Sequence, residues 1–374
     1  MSHSVIQPWS VQEEYGNRAL FPPLARKSIS GAIEQLKGAV LGGRNLQEFF
    51  HEWMEALGNA RHGVSVKVGE KNAALFGRRR DSEREDFDDF SYTVFYREGD
   101  LSNLYNKCNK QIITRLGEFS KMILNNKLIH HDRFGCESSF SLEILNREAI
   151  STKKWNVKPL SEVRAFFQKQ GKEFLERSKV ENLQAIHNAC PELYERDLMC
   201  EYISMSKETS LQLDPDEKLE LFHLLGTAYL KVEEKVYPLS RYLTWGYFDP
   251  ERHPSDRMVE RSKVLVIHTP LLQIKENLQL IARLFERAML WKKEGHIPAD
   301  LIGRVALLRY AFAHVMPFLR GGGSIGEWME EAIYRCHGFE EFRFNDTVEL
   351  EAFGCLTFGE FLRKYRSIVG ELTC

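Results

Sequence analysis

Between residues 316 and 324 the chain reads Met-Pro-Phe-Leu-Arg-Gly-Gly-Gly-Ser. Three consecutive glycines can turn successive backbone N–H groups toward one point, because no Cβ penalises positive φ. A helix that starts there adds its positive end, and the two features together favour an anion. Gly321, Gly322, Gly323 and Ser324 are therefore candidate phosphate-binding residues, with Arg320 beside them and Arg304 or Arg309 as further positive charge. Ser324 reads as the N-cap of the next helix, with Glu327 three residues on as in a capping box. The same residues also fit a plain reversal between two core helices, in which the glycines only permit the turn.

Groups able to move a proton lie nearby. His314 stands two positions before Met316 and also reads as a satisfied core histidine. His337 and Glu341 form an HxxxE pair, which a helix would place on one face, although Gly338 falls between them. His51 and Glu55 have the same spacing. His131-Asp132 has the form of the metal dyad of a phosphohydrolase, for which His51 or His62 would supply another ligand. His187 and Cys190 lack further ligands at metal spacing and read as structural. The charged run Gly77–Asp89 reads as solvated surface, with an anion site as the alternative. The chain contains no GxSxG elbow, Walker lysine loop, HExxH or Rossmann glycine pattern.

These residues need helices to position them, and the hydrophobic spacing supplies them. Apolar residues recur at helical intervals over Ser28–Leu41, which stops at Gly42-Gly43. Asn45 caps a second amphipathic helix carrying Leu46, Phe49, Phe50, Trp53 and Leu57 on one side. Val64–Val68 alternates and predicts a short strand. Helices are expected over Leu101–Leu128, Leu160–Val180 and from Asp214-Pro215 through about Tyr242. Val264–Ile267 predicts a strand, followed by a helix bearing Leu272, Ile274, Leu278, Ile281 and Leu284. Pro298-Ala299-Asp300 opens a helix apolar enough to be buried, which ends at Met316-Pro317-Phe318.

The run HIPADLIGRVALLRYAFAHVMPFLRGGGSIGEWMEEAIYRCHG resembles the core of the Fic (Fido) domain. Those enzymes carry a long helix ending in His-Pro-Phe-x-Asp/Glu-Gly-Asn-Gly-Arg, and here Met316 through Ser324 align with it. The preceding IHTPLLQIKENLQ is similar to the flap that leads into such a core. The resemblance spans roughly 80 of the 374 residues. It implies transfer of AMP, or a related phosphate-bearing group, from ATP with Mg²⁺ onto a hydroxyl of a protein substrate. The family's general base is replaced by Met316, its Mg²⁺-holding acid by Arg320 and its terminal arginine by Ser324. What remains is the Pro-Phe anchor and the glycines, which leaves a catalytically inactive interaction module as the alternative. Ser324 with His337 and Glu341 also resembles a second group of bacterial adenylyl transferases, found among host-directed effectors. Ser139–Glu143 is similar to the first positions of the family's inhibitory helix.

Composition is that of an ordinary globular protein: 43% hydrophobic and 28% charged residues, with a net charge of -2. The lack of a basic excess argues against nucleic acid as the main partner. No apolar run approaches the ~18 residues of a membrane span. The first thirty residues contain no signal-peptide core, and the seven cysteines show no CxxC pair, so a cytoplasmic protein with reduced thiols is expected. Delivery into a host cell is implied by the resemblance alone. The expected architecture is mainly α, with an extended arm over residues 1–27, a helical region over 28–250, and a Fic-like helical module with a short β flap over 251–374.

Overall fold

The computed structural model describes residues 18–70, 72–80, 111–112, 114–115, 129–131, 136–149, 220–246, 263–269, 271–292, 297–340 and 348–369. The described part is mostly helical and includes one antiparallel sheet. Helix α1 spans Phe21–Leu41 and α2 spans Leu46–Val68. The strands are β1 (Ile129–His131), β2 (Cys136–Ala149), β3 (Glu220–Val232), β4 (Lys235–Gly246) and β5 (Lys263–Ile267). They form a meander in the order β1-β2-β3-β4-β5. Helices α3 (Leu271–Met289), α4 (Pro298–Val315), α5 (Gly322–Cys336), α6 (Val348–Gly354) and α7 (Phe358–Val369) follow.

Helix α1 begins seven residues before the expected start, inside the supposed arm, because prolines at its first turn cost no hydrogen bond. Asn45 caps α2 as expected, its side chain accepting from the Gln47 and Glu48 amides. The expected strand at Val64–Val68 is instead the end of α2. Val64 and Val68 are four apart and both buried, so packing of a helical stripe overrides the β-propensity of valine.

The larger departure is the hairpin β3–β4, where a long helix was expected through Tyr242. Ala228, Leu230 and Val232 are buried at every second position while Tyr229 and Lys231 are half-exposed, the period of a one-sided antiparallel strand. Glu233, with φ 58°, turns the chain so that Val232 pairs with Lys235. The region 28–250 is therefore mixed, and β4 pairs with β5 across residue 250. Strand β2 occupies Ser139–Glu143, so that segment is no inhibitory helix. Residues 81–110, the expected helix Leu160–Val180 and the loop after Gly246 lie outside the described residues.

Helix α4 is the axis of the fold. Its residues from Leu301 to Val315 are buried with the exception of Arg304, and it touches α3, α5, α6, α7 and β4. One contiguous hydrophobic core runs from α1 through the sheet to α7. At one end α2 and the segment after it approach within backbone contact. A Cβ on Gly58 would run into the Gly77 carbonyl oxygen and lie 2.9 Å from the Phe318 ring. Replacing Gly58 by Ala is therefore expected to destabilise the protein by about 2 kcal/mol, since the obstacle is backbone that cannot repack. Urea unfolding checks this through a lower midpoint at unchanged slope; an unchanged midpoint would show that the two segments separate freely.

Candidate functional site

Helix α4 stops at Met316, whose backbone turns left-handed at φ 51°. The chain then runs antiparallel to residues 77–80. The Gly77 amide donates to the Arg320 carbonyl, the Leu319 amide to the Arg78 carbonyl and the Arg80 amide to the Pro317 carbonyl, each at 2.9 Å. The buried Arg80 guanidinium donates to the Val315, Met316 and Thr269 carbonyls at 3.0, 3.1 and 2.8 Å. A cation at a helix C-terminus complements the dipole and satisfies orphan carbonyls. Arg80 is thus a structural clasp rather than part of a solvated surface.

Gly321, at φ 81°, is the N-cap of α5, and no side chain caps that helix. A Cβ on Gly321 would meet the Arg61 side chain at 2.9 Å, so both its φ and its surroundings require glycine. Ser324 is accordingly not the cap: it lies inside the first turn, 4% exposed, and the capping box with Glu327 does not form. The left-handed Gly321 starts the helix earlier than a serine cap would. The glycine loop does present an uncapped helix N-terminus, with Arg320 exposed at its edge.

The other cations are committed elsewhere. Arg304 donates to the Arg287 carbonyl at the end of α3. Arg61 is clamped by Glu70 at 2.8 and 2.9 Å beneath the Phe76 ring. Arg309 is 1% exposed, with Nε 2.9 Å from Glu330 Oε2, and it fills the space over Gly326 so closely that no Cβ fits there.

Around Arg309 the structure assembles a carboxylate cluster that the sequence did not reveal. Glu330 is pushed up to about 7 by burial, against the pull of Arg309 and a hydrogen bond from Tyr365. Glu349 is pushed up to about 7 by burial, again opposed by Arg309. Glu327 is pushed up to about 8, chiefly by desolvation, while part of its surface still meets solvent. The sequence signal was the spacing of Glu327, Glu330 and Glu331 along α5; Glu349 had none. Six described glutamates are buried, and five stand in ion pairs: Glu70 with Arg61, Glu330 with Arg309, Glu331 with Arg335, Glu351 with Lys364 and Glu360 with Arg115. Glu349 alone of the six has no ion pair among the described residues, and its Oε1, like Glu330 Oε2 and Glu360 Oε1, has no hydrogen-bond partner among them. That oxygen lies 3.4 Å from where a Cβ of Gly322 would stand, against the first turn of α5, with Met316 Sδ at 3.3 Å from the same point.

The expected proton-transfer set does not come together. His337 is the C-cap of α5, so the helix ends before it, and Gly338 turns left-handed at φ 86°. Thirteen residues of helix separate it from Ser324, roughly 20 Å at 1.5 Å per residue. His337 Nε2 bonds the Ala288 carbonyl at 3.0 Å, and burial lowers its pKa. Glu341 lies outside the described residues. His314 is fully buried among Tyr310, Tyr242 and Phe353, and burial holds it neutral with a pKa of about 3. It is a core histidine. His131 lies on β1, whereas Asp132, His187 and Cys190 are outside the described residues. Among the described residues no group of three or more His, Cys, Asp or Glu is arranged to hold a metal. Among the described residues Cys136, Cys336 and Cys355 form no disulfide, and no described helix is long and apolar enough to cross a membrane.

No family model matches the chain, and no curated protein matches it.

The raised pKa of Glu349 fixes the sign of a pH effect. The folded protein holds a proton that the unfolded chain, at 4.5, has released, so the stability contributed is complete below 4.5 and is lost as pH rises to about 7. The span corresponds to a loss on the order of 3 kcal/mol. His314 acts oppositely, costing stability as pH falls from 6.5 toward 3. Glu349→Gln is expected to flatten the fall in melting temperature between pH 5 and 8 while leaving the acid-side loss in place. A variant whose profile overlays wild type would show that the carboxyl ionises as freely folded as unfolded.

Proposed function

We propose that this protein is a nucleotide-dependent transferase with a Fic-like core, moving AMP or a related phosphate-bearing group from ATP onto a hydroxyl of a protein substrate. The observation that carries the reading is the N-terminus of α5, uncapped by any side chain and led by a left-handed glycine. The residues present fit ATP and Mg²⁺: the first turn offers backbone N–H groups to phosphate oxygens, and Glu349 Oε1 is an orphaned buried acceptor beside it. Mg²⁺, when bound, neutralises phosphate charge.

Phosphate oxygens accept from the amides of Gly322, Gly323 and Ser324, with Arg320 at the rim adding positive charge. A target hydroxyl oxygen forms a bond to the α-phosphorus as the bond to the β-phosphate oxygen breaks, and pyrophosphate leaves. The hydroxyl proton needs an acceptor at this end of α5. Glu327 takes that part in place of the absent histidine, because within the carboxylate cluster it alone keeps surface in solvent and its pKa suits proton transfer near neutrality. Residence in the cytoplasm, with delivery into a host cell as an effector, fits this reading and rests on the family resemblance.

One observation favours a second reading, a Fic-like interaction module without catalysis. The space over Gly322 is filled by Met316 Sδ and Glu349 Oε1. Nucleotide binding separates the two. ATP with Mg²⁺ at a hundredfold excess over Kd is expected to stabilise wild type by about 2.7 kcal/mol, and Gly322→Asp to abolish that shift. Gly322→Ala, whose Cβ meets only the flexible ends of Met316 and Glu349, serves as the folded control. Transfer of label from α-labelled ATP onto protein then tests the chemistry. No shift in wild type with any nucleotide overturns the transferase reading and leaves the interaction module.

A further inference from the structure

We propose that Glu349 is the carboxylate ligand of a divalent cation that binds jointly with nucleotide phosphates at the N-terminus of α5. The inference rests on the phosphate-site reading above and adds to it the residue that would take the place of the acid missing at Arg320.

The argument begins with an imbalance. Burying a carboxylate without a partner is costly, and the five other buried glutamates avoid that cost by pairing with a cation. Glu349, 6% exposed, has no such pair among the described residues, and its Oε1 has no hydrogen-bond partner among them. No ion pair joins it to Arg309, whose Nε lies 2.9 Å from Glu330 Oε2 and whose head fills the space over Gly326, so that the guanidinium acts on Glu349 through its field alone. The orphan oxygen is not aimed at random: it lies against Gly322, the first residue of α5.

Two opposed preferences meet there. The positive end of a fifteen-residue helix favours phosphate and disfavours a bare cation. The orphan carboxylate favours a cation and disfavours bare phosphate. A metal-phosphate pair satisfies both, with phosphate oxygens on the amides and the metal on Glu349. Mg²⁺ is commonly held by one or two carboxylates together with substrate phosphates and water, so a lone glutamate is a sufficient protein contribution. Met316, half-buried with an unbranched thioether, lies over the same point and has to swing toward solvent as the pair enters.

The consequence is an interdependence that neither a plain anion site nor a plain metal site shows. Equilibrium dialysis of labelled ATP against wild type, Glu349→Gln and Glu349→Asp, each with Mg²⁺ and with EDTA, reads it without turnover. Wild type is expected to bind ATP at least tenfold more tightly with Mg²⁺ than with EDTA. Glu349→Gln, isosteric and uncharged, should bind in EDTA at least as well as wild type does and lose most of the Mg²⁺ dependence. Glu349→Asp, with its carboxylate restored one methylene short, should recover part of it. Equal Mg²⁺ dependence in wild type and Glu349→Gln overturns this proposal while leaving the phosphate site standing. Absence of ATP binding by folded wild type, with or without metal, overturns the phosphate site and this proposal with it.

Discussion

The Arg309 guanidinium is the charge on which this fold turns. It is sealed on the central helix α4, beneath Gly326 of α5, and paired with Glu330. Tyr365 of α7 donates to the same carboxylate and shares a hydrogen bond with Tyr334 of α5 at 2.9 Å. One cation therefore ties α4, α5 and α7 together, and its field reaches Glu349 on α6. A glycine at 326 is the geometric condition, since any Cβ there would occupy the site of the guanidinium. A buried pair of this kind contributes little net stability against an apolar alternative, but losing one partner leaves an uncompensated charge and is severe.

The reversal from α4 to α5 is fixed from outside by a second set of contacts. Residues 77–80 pair with 317–320, and Arg80 reaches under them to the last carbonyls of α4. The close approach of Gly58 to Gly77 brings α2 against that segment. The glycine loop is consequently held in one geometry rather than left as a hinge. A rigidly presented helix end is what binding an anion by backbone amides requires, because donors fixed in advance cost no reorganisation when the ligand arrives.

Charge placement then separates structural groups from those free to act. His314 and His268 are held neutral by burial beneath the sheet, and His337 secures the junction of α5 with the end of α3. The carboxylates of α5 and α6 are different, for burial raises their pKa toward the neutral range, where a proton can decide their state. Within that group Glu330 is paired with Arg309, whereas Glu349 feels Arg309 only through its field and its Oε1, against the helix terminus, has no hydrogen-bond partner among the described residues.

Local sequence by itself determined the helices whose apolar residues repeat at helical spacing and whose ends carry their own signals. Asn45 before α2 and Pro298 opening α4 needed no neighbour to be read, because capping and φ preference are properties of a few adjacent residues, whereas α5 starts at Gly322 rather than at a Ser324 cap. The valine-rich end of α2 and the β3–β4 hairpin were misjudged, since their conformation depends on which face finds a core. Ser324, His337 and Glu341 were grouped by spacing alone, and a continuous helix then placed the first two at opposite ends of α5. The cluster of Arg309, Glu330 and Glu349 draws on three helices, and the clasp of Arg80 joins residues more than two hundred positions apart. Only the tertiary structure decided these, because whether a carboxylate is paired or left bare depends on what long-range packing brings within a few ångströms of it.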